Sequence, residues 1–191
     1  MGPLSRWREQ RLLKRISAGD RAAAEQFVER HYQPTYRWLL QLCGDCEAAA
    51  DLTQDTFRQV WEGLDGFRGS SSLKTWVHRI AYYTYLRAQR ESDPESVPLH
   101  NDVRDDSSTN EALMRCGLEA ALAQLPMKQR QAVTLHYLQG LTCTEIAEVL
   151  EIAAGTVVSR LHAGRQRLRE LLRDDASPPK KEVERNVEQI R

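Results

Sequence analysis

Leu141-Thr-Cys-Thr-Glu-Ile-Ala-Glu-Val-Leu150, followed by Glu151-Ile-Ala-Ala-Gly-Thr-Val-Val-Ser-Arg160 and Leu161-His-Ala-Gly-Arg-Gln-Arg-Leu-Arg169, reads as two helices separated by a tight turn. Thr142 and Glu145 stand three apart just before an apolar run, the spacing at which each side chain satisfies the other's orphan backbone N–H. Ile146, Ala147, Val149 and Leu150 give the first helix a buried side, and Ala147 is small enough to let a second helix cross nearby. Val157, Leu161 and Leu168 recur at helical spacing, while Arg160, Arg165, Arg167 and Arg169 fall mostly on other faces. A short helix crossed by a longer basic one is a helix-turn-helix arrangement, whose second helix can enter a DNA major groove. The competing reading is a helical hairpin whose arginines are simply a solvated face.

Working outward, the chain reads as almost entirely helical. Leu12, Leu13 and Ile16 form an apolar edge that stops at Gly19, and Asp20 can cap a second helix carrying Ala22, Ala23, Phe27 and Val28. Pro34 fits the first turn of a third helix with Tyr36, Leu39, Leu40 and Leu42. Asp45 can cap a fourth, through Leu52, Phe57, Val60 and Trp61, ending near Gly63 to Gly66. The turn Phe67-Arg-Gly-Ser-Ser-Ser72 precedes a fifth helix from about Leu73 to Arg90. No segment alternates with the two-residue period of a strand. Helices resume near Asn110, break at Pro126 and continue to Gln139 and Gly140.

The 191 residues carry 27 basic and 27 acidic side chains, but the balance is uneven along the chain. Residues 1–90 hold 14 Lys and Arg against 10 Asp and Glu, a net of +4. Residues 91–110 have Arg104 against six carboxylates, with Pro94 and Pro98 and few large apolar groups. Such a segment buries too little surface to offset its ordering entropy and is expected to be a flexible linker. From Ile152 to Arg173 there are five arginines and one glutamate, so a neutral total conceals two cationic surfaces and an anionic connector. The expected architecture is therefore all-α: a helical domain over 1–90, an acidic linker over 91–110, a helix-turn-helix domain over 111–173, and a frayed tail over 174–191.

No apolar run is long enough to span a bilayer and no signal peptide opens the chain, so a soluble cytoplasmic protein is expected. Cys43, Cys46, Cys116 and Cys143 are too sparse for a disulfide framework. Cys43-Gly-Asp-Cys46 has the spacing of a redox or half-metal pair, but no second CxxC or CxxH completes a zinc set. Small packing or turn residues are the simpler reading, and neither metal nor cofactor is expected. The five histidines are scattered, without a phosphate loop or nucleophile motif beside them, which argues against an enzyme.

Ala50-Asp-Leu-Thr-Gln-Asp-Thr-Phe-Arg-Gln-Val-Trp61 is the second informative stretch. As a helix it groups Leu52, Thr56, Gln59 and Val60 on one side, with Asp51, Gln54, Asp55 and Arg58 mainly on another. Acids and amides beside large apolar groups suit a partner helix of basic and apolar character; the alternative is a solvated face. This stretch closely resembles the polymerase-binding helix of bacterial sigma factors. Arg11 to Gly44 resembles the segment that precedes it. Leu122 to Leu172, especially Leu125-Pro126, Glu145-Ile-Ala147, Gly155-Thr-Val157 and Ser159-Arg-Leu161, resembles their promoter-reading helix-turn-helix. The chain has no room for the additional domains of larger members, so the resemblance is to the small extracytoplasmic-function group, over roughly residues 9–90 and 111–173.

The resemblance implies a non-enzymatic subunit that binds core RNA polymerase through Asp51, Leu52, Gln54, Asp55 and Phe57. It implies that Phe67 to Arg90 opens the minus-ten element. Unstacked bases need aromatic platforms, a pocket-forming loop and phosphate-binding cations. Trp76, Tyr82, Tyr83 and Tyr85 and the cations Lys74, Arg79, Arg87 and Arg90 supply those types. Arg68, Ser71, Lys74, Arg79 and Tyr83 are the candidates on that side, with Trp76 expected inside. Thr156, Ser159, Arg160, His162 and Arg165 are candidates for reading minus-thirty-five duplex DNA, early positions toward base edges and later arginines toward phosphates. The acidic linker resembles the family's segment that threads the RNA-exit region, and an anti-sigma protein is the expected inhibitor. The rival is a stand-alone regulator, which would bind DNA tightly without polymerase.

Several positions depart from the family pattern. Tyr83 and Arg87 stand where Asn and Asp are common. Glu151 replaces a frequent Gly, at up to about 1 kcal/mol if its backbone is left-handed. Ala153 replaces a serine cap, a loss of roughly 0.5–2 kcal/mol. Val158 and Ala163 occupy positions that are often basic.

Overall fold

The computed structural model describes residues 3–92 and 110–175, and every regular element among them is helical. The helices are α1 (Pro3–Ser17), α2 (Arg21–Cys43), α3 (Cys46–Gly63), α4 (Leu73–Ser92), α5 (Asn110–Ala123), α6 (Met127–Val133), α7 (Cys143–Leu150) and α8 (Ala154–Asp175). A short 3-10 turn, Leu64–Gly66, follows α3, and a π-helical turn, Thr134–Leu138, extends α6. The expectations of a flexible linker and a frayed tail fall almost wholly outside the described residues.

Helix ends follow the local chemistry. Asp20 accepts the Ala23 N–H at 3.1 Å to start α2, and Gly44 closes it at φ +73°. Asp45 then accepts the Ala48 N–H at 2.7 Å to start α3. Ser72, read only as part of a polar turn, accepts the Thr75 N–H at 3.0 Å and caps the entry to α4. The Thr142–Glu145 capping box is present in both directions.

Pro34 corrects the expected break. It lies inside α2, one helix of 23 residues, rather than opening a third helix. Proline forfeits one backbone bond in a helix interior, a cost of about 3 kcal/mol. Here the apolar stripe runs through it unbroken: Phe27, His31, Thr35, Trp38, Leu39 and Leu42 are all buried. Burying such a stripe outweighs one lost bond. The fully buried Thr35 hydroxyl donates to the His31 carbonyl at 2.8 Å, so the polar side chain next to the proline is satisfied within the helix.

Helices α2, α3 and α4 pack around two apolar clusters. The smaller joins Phe27, Phe57, Val60, Leu64, Leu73 and Val77. The larger runs from Trp38, Leu39, Leu52, Ala81 and Tyr85 without interruption to Leu135, Leu141, Ile146, Val149, Val157 and Leu161. The N- and C-terminal helices therefore share a core across the seam between α4 and α7. At the α6–α8 crossing a Cβ added to Gly164 would lie 2.6 Å from Val133 Cγ2. Only glycine permits that approach.

Two buried histidines sit beside one another's helices. His78 is fully buried, with Nδ1 donating to the Lys74 carbonyl at 2.8 Å and its ring 5.3 Å from Trp38. Burial pushes its pKa, and that of His31, down to about 4. Both rings are neutral in the folded chain, whereas in the unfolded chain each titrates near its ordinary value of 6.5. Between those values the unfolded state binds more protons, so the contribution is complete above about pH 6.5 and is lost as pH falls towards 4.

Two expected outcomes follow from this packing. Urea-unfolding stability falls between pH 6.5 and 4.5 by up to roughly 3 kcal/mol per histidine, and a His31→Gln variant shows a shallower decline over the same interval. Gly164→Ala lowers stability by about 1–3 kcal/mol through overpacking against Val133, read as an earlier urea midpoint at unchanged slope.

Candidate nucleic-acid interface

The candidate residues divide into three surfaces. On α3, Ala49, Leu52, Thr53, Thr56, Phe57 and Val60 face inward. Thr53 and Thr56 are buried, and each donates its hydroxyl to the carbonyl four residues earlier at 2.6 Å. Asp51 and Gln54 are exposed on the outer side, with Asp55 half-buried beside them. Arg58 bridges Asp55 at 3.1 Å and Glu62 at 3.3 Å, and Arg87 of α4 approaches Asp55 at 4.0 Å.

Leu52 and Phe57 point mainly inward, with Phe57 also reaching the groove described below. Leu52 is 9 % exposed in the larger core and Phe57 is 6 % exposed in the smaller one, with its ring 5.2 Å from Tyr32. Their apolar periodicity signalled this, because both lie on the stripe that α3 buries. What lies beside Gln54 and Arg58 instead is a shallow groove of about 500 Å³ between Val28, Tyr32, Phe57 and Trp61. Trp61, the last residue of the stretch that resembles the polymerase-binding helix, is exposed on the groove wall with its ring tilted against Phe27 at 5.5 Å.

The second surface is α4 with the loop before it. Arg68 is exposed and Ser71 half-exposed, in a loop whose Gly69 adopts φ +73°. Arg79 lies over the Tyr83 ring at 5.9 Å, and Tyr83 is 42 % exposed. Trp76 packs inward against Phe67 at 4.9 Å, as expected, and so close over Gly63 that an added Cβ there would lie 3.3 Å from its ring. Tyr85 is buried, which pushes its phenol up to about 12, and Tyr82 is half-buried 6.2 Å from Trp38. Of the four aromatics on α4, Tyr83 is the one offered to solvent.

Sequence spacing could not indicate how the cations of this surface are engaged. Lys74 donates to the Gln139 carbonyl, and burial lowers the pKa of its ammonium. Thr75 meets Glu145 at 3.3 Å. Arg79 pairs with Glu151 at 3.0 Å. Gln139 reaches Pro34 through its side-chain amide, donated to the Pro34 carbonyl at 3.0 Å. Lys74 and Arg79 are thus bonded to residues around α7. These contacts join positions 65 or more residues apart, for which a single sequence carries no local signal.

The third surface is α8. Val157, Leu161 and Gly164 face the core, while Ser159, His162 and Arg165 form an exposed stripe with a helical three-residue step. Val158 is 55 % exposed beside them, giving the stripe an apolar flank. Thr156 is half-buried and its carbonyl accepts the Ser159 hydroxyl at 2.9 Å. Arg160 departs from the group: it is half-buried on the flank towards Tyr82. Glu151, just before α8, has φ 52° and ψ 47°, the left-handed backbone anticipated for a position that favours glycine. Ala153 offers no side-chain acceptor, and the first turn of α8 relies on its carbonyl, which takes Thr156 N–H at 2.9 Å and Val157 N–H at 3.2 Å.

The Cys43-Gly-Asp-Cys46 pair spans the α2–α3 turn. Cys43 donates to the Leu39 carbonyl at 3.1 Å, and burial pushes its thiol up, away from the reactive thiolate. Among the described residues there is no cluster of three or more His, Cys, Asp or Glu that could hold a metal ion. Nor is any helix among them long and apolar enough to cross a membrane.

Two family models match this chain: sigma-70 region 2 over residues 27–94 and sigma-70 region 4 over residues 117–168. The chain is 33 % identical over 174 residues to the ECF RNA polymerase sigma factor SigE of Mycolicibacterium smegmatis, covering 84 % of this chain and 67 % of that protein. It is 32 % identical over 162 residues to the ECF RNA polymerase sigma factor SigM of Mycobacterium tuberculosis, covering 84 % and 83 %. Among solved structures, the sigma factor RpoE of Bartonella quintana, in complex with the anti-sigma factor NepR, superposes with a TM-score of 0.62 at 26 % identity, covering 78 % of this chain and 96 % of that one. With both region models matched in order and relatives aligned along most of its length, the chain belongs to the extracytoplasmic-function group of RNA polymerase sigma factors.

Proposed function

We propose that this sigma factor engages core polymerase through the outer face of α3, and that its two DNA-reading surfaces are held together in the closed arrangement until polymerase separates them. The observation that carries the first part is the juxtaposition of Asp51, Gln54 and Asp55 with the groove between Val28, Tyr32, Phe57 and Trp61. A cationic, apolar helix can pair its charges with the acids and seat a side chain in the groove, so affinity and register come from one patch. Leu52 and Phe57 then serve by fixing the pitch of α3 from inside. The subunit acts by binding and positioning rather than by catalysis, in the cytoplasm where polymerase works.

On the DNA side, Arg79 and Tyr83 form the minus-ten platform, a guanidinium over an exposed ring, with Arg68 and Ser71 at the loop below. The Ser159, His162 and Arg165 stripe addresses the minus-thirty-five groove, with Val158 suited to a thymine methyl group. Arg160 is assigned to the seam rather than to the groove. Each small surface supplies few base contacts, so promoter affinity comes from polymerase holding both at a set spacing. An anti-sigma factor fits this arrangement, as in the Bartonella quintana complex, because a partner that covers α3 or fixes the seam withholds both surfaces together.

Run-off transcription with purified core polymerase over a genomic fragment library tests the α3 assignment. Wild-type chain yields discrete start sites and Asp55→Arg yields none, while both give the same circular dichroism spectrum. Strong footprints from the chain alone, with no transcription, would instead favour a stand-alone regulator. The seam is tested by charge reversal. Exposed ion pairs contribute up to about 1 kcal/mol, so Glu151→Arg shifts the closed–open balance several-fold, raising the radius of gyration in solution scattering. The exchanged pair Arg79→Glu with Glu151→Arg returns it towards the wild-type value.

A further inference from the structure

A cavity of about 890 Å³ opens between α1, α2, the start of α4 and the turn before α7. It is distinct from the α3 groove and from the exposed stripe of α8. Its volume falls in the range typical of small-molecule sites. Arg8, Arg11 and Arg30 line it, and all three are exposed, with no carboxylate among the described residues ion-paired to them. Arg11 stacks over the ring of Trp7 at 5.4 Å, and Trp7 is 58 % exposed.

Two carboxylates also line the cavity, and both are engaged by donors of the fold. Glu9 accepts the Leu73 N–H at 3.3 Å. Glu145 accepts the Thr142 N–H at 2.9 Å and hydroxyl at 2.8 Å, and meets Thr75 at 3.3 Å. Arg15 is held by Asp20 and Lys74 by the Gln139 carbonyl, so the remaining cationic capacity belongs to Arg8, Arg11 and Arg30. Three guanidiniums around one cavity suit phosphate oxygens, which accept their paired N–H groups.

His78 stands at the inner wall of the same cavity, 1 % exposed, with Nδ1 donating to the Lys74 carbonyl and the Gln139 side chain beside its ring. An exposed indole beside the guanidiniums supplies a face on which a base can stack.

We propose that this cavity binds a nucleoside polyphosphate, with phosphates on Arg8, Arg11 and Arg30 and the base against Trp7. Its walls come from α1, α2 and α4 on one side and from Gly140, Leu141 and Thr142 on the other. A ligand seated there touches both halves and favours the closed arrangement by its differential affinity for it. The site does not depend on which residues read DNA.

The test is a calorimetric and Trp-fluorescence titration of the full chain with GTP, ATP and inorganic pyrophosphate. GTP or ATP binds, pyrophosphate binds at least about tenfold more weakly, and Arg8→Glu with Arg30→Glu reduces nucleotide affinity at least about tenfold. Both arginines are exposed, and an unchanged circular dichroism melt certifies the variant's fold. Nucleotide binding also lowers the radius of gyration of Glu151→Arg towards that of wild type. The proposal is overturned by no binding of either nucleotide at about 1 mM, by equal affinity for pyrophosphate, or by full affinity in the doubly substituted chain. Displacement of bound nucleotide by short duplex DNA of any sequence would likewise overturn it, marking the arginines as a backbone-contacting face.

Discussion

Everything in this molecule turns on α4 being packed from two sides. Towards the N-terminal helices it buries Leu73, Val77, Ala81 and Tyr85; towards the C-terminal half it meets α7 through Lys74, Thr75 and Arg79. A helix confined on both sides has a narrow strip left for solvent, and Tyr83 stands on that strip. The same constraint settles which aromatics are structural: Trp76 covers Gly63, Tyr82 lies by Trp38, and Tyr85 is sealed in. It also explains why the apolar core is continuous across the seam while the bonds at its rim are polar and exposed. Burial supplies most of the attraction and the rim pairs set the register.

Four buried threonines of the N-terminal half follow one rule. Thr35, Thr53, Thr56 and Thr84 each return the hydroxyl to a carbonyl one turn back, so helices can press polar side chains together without stranding a donor. Gln59 extends this across elements by donating to Thr84 at 2.8 Å. Such self-satisfied threonines make the packing between α3 and α4 indifferent to water. Trp38 Nε1, buried without a hydrogen-bond partner, stands out against this background.

Much of this was legible in the chain because it is written locally. The caps at Asp20, Asp45 and Thr142, the glycine end at Gly44, the all-helical class and the left-handed Glu151 each depend on residues within one turn of one another. Pro34 was misjudged because a local penalty was read without the stripe from Phe27 to Leu42 that overrides it. Leu52 and Phe57 show a different limit. A family motif transfers positions but not which way a side chain points, and the apolar period already placed both inside. The seam was beyond reach, since Lys74 with Gln139 and Arg79 with Glu151 are pairings of distant segments without a shared local pattern.

Glu151 carries two opposed loads. Its left-handed backbone works against the turn, by about 1 kcal/mol relative to glycine, while its carboxylate holds Arg79 across the seam. The first is intrinsic to the backbone and insensitive to solutes; the second is an exposed ion pair that counterions screen within about 10 Å at 0.1 M salt. Raising ionic strength therefore weakens the gain and leaves the strain. The balance at this one residue thus shifts towards strain as salt rises, while Arg79 keeps its place over the Tyr83 ring.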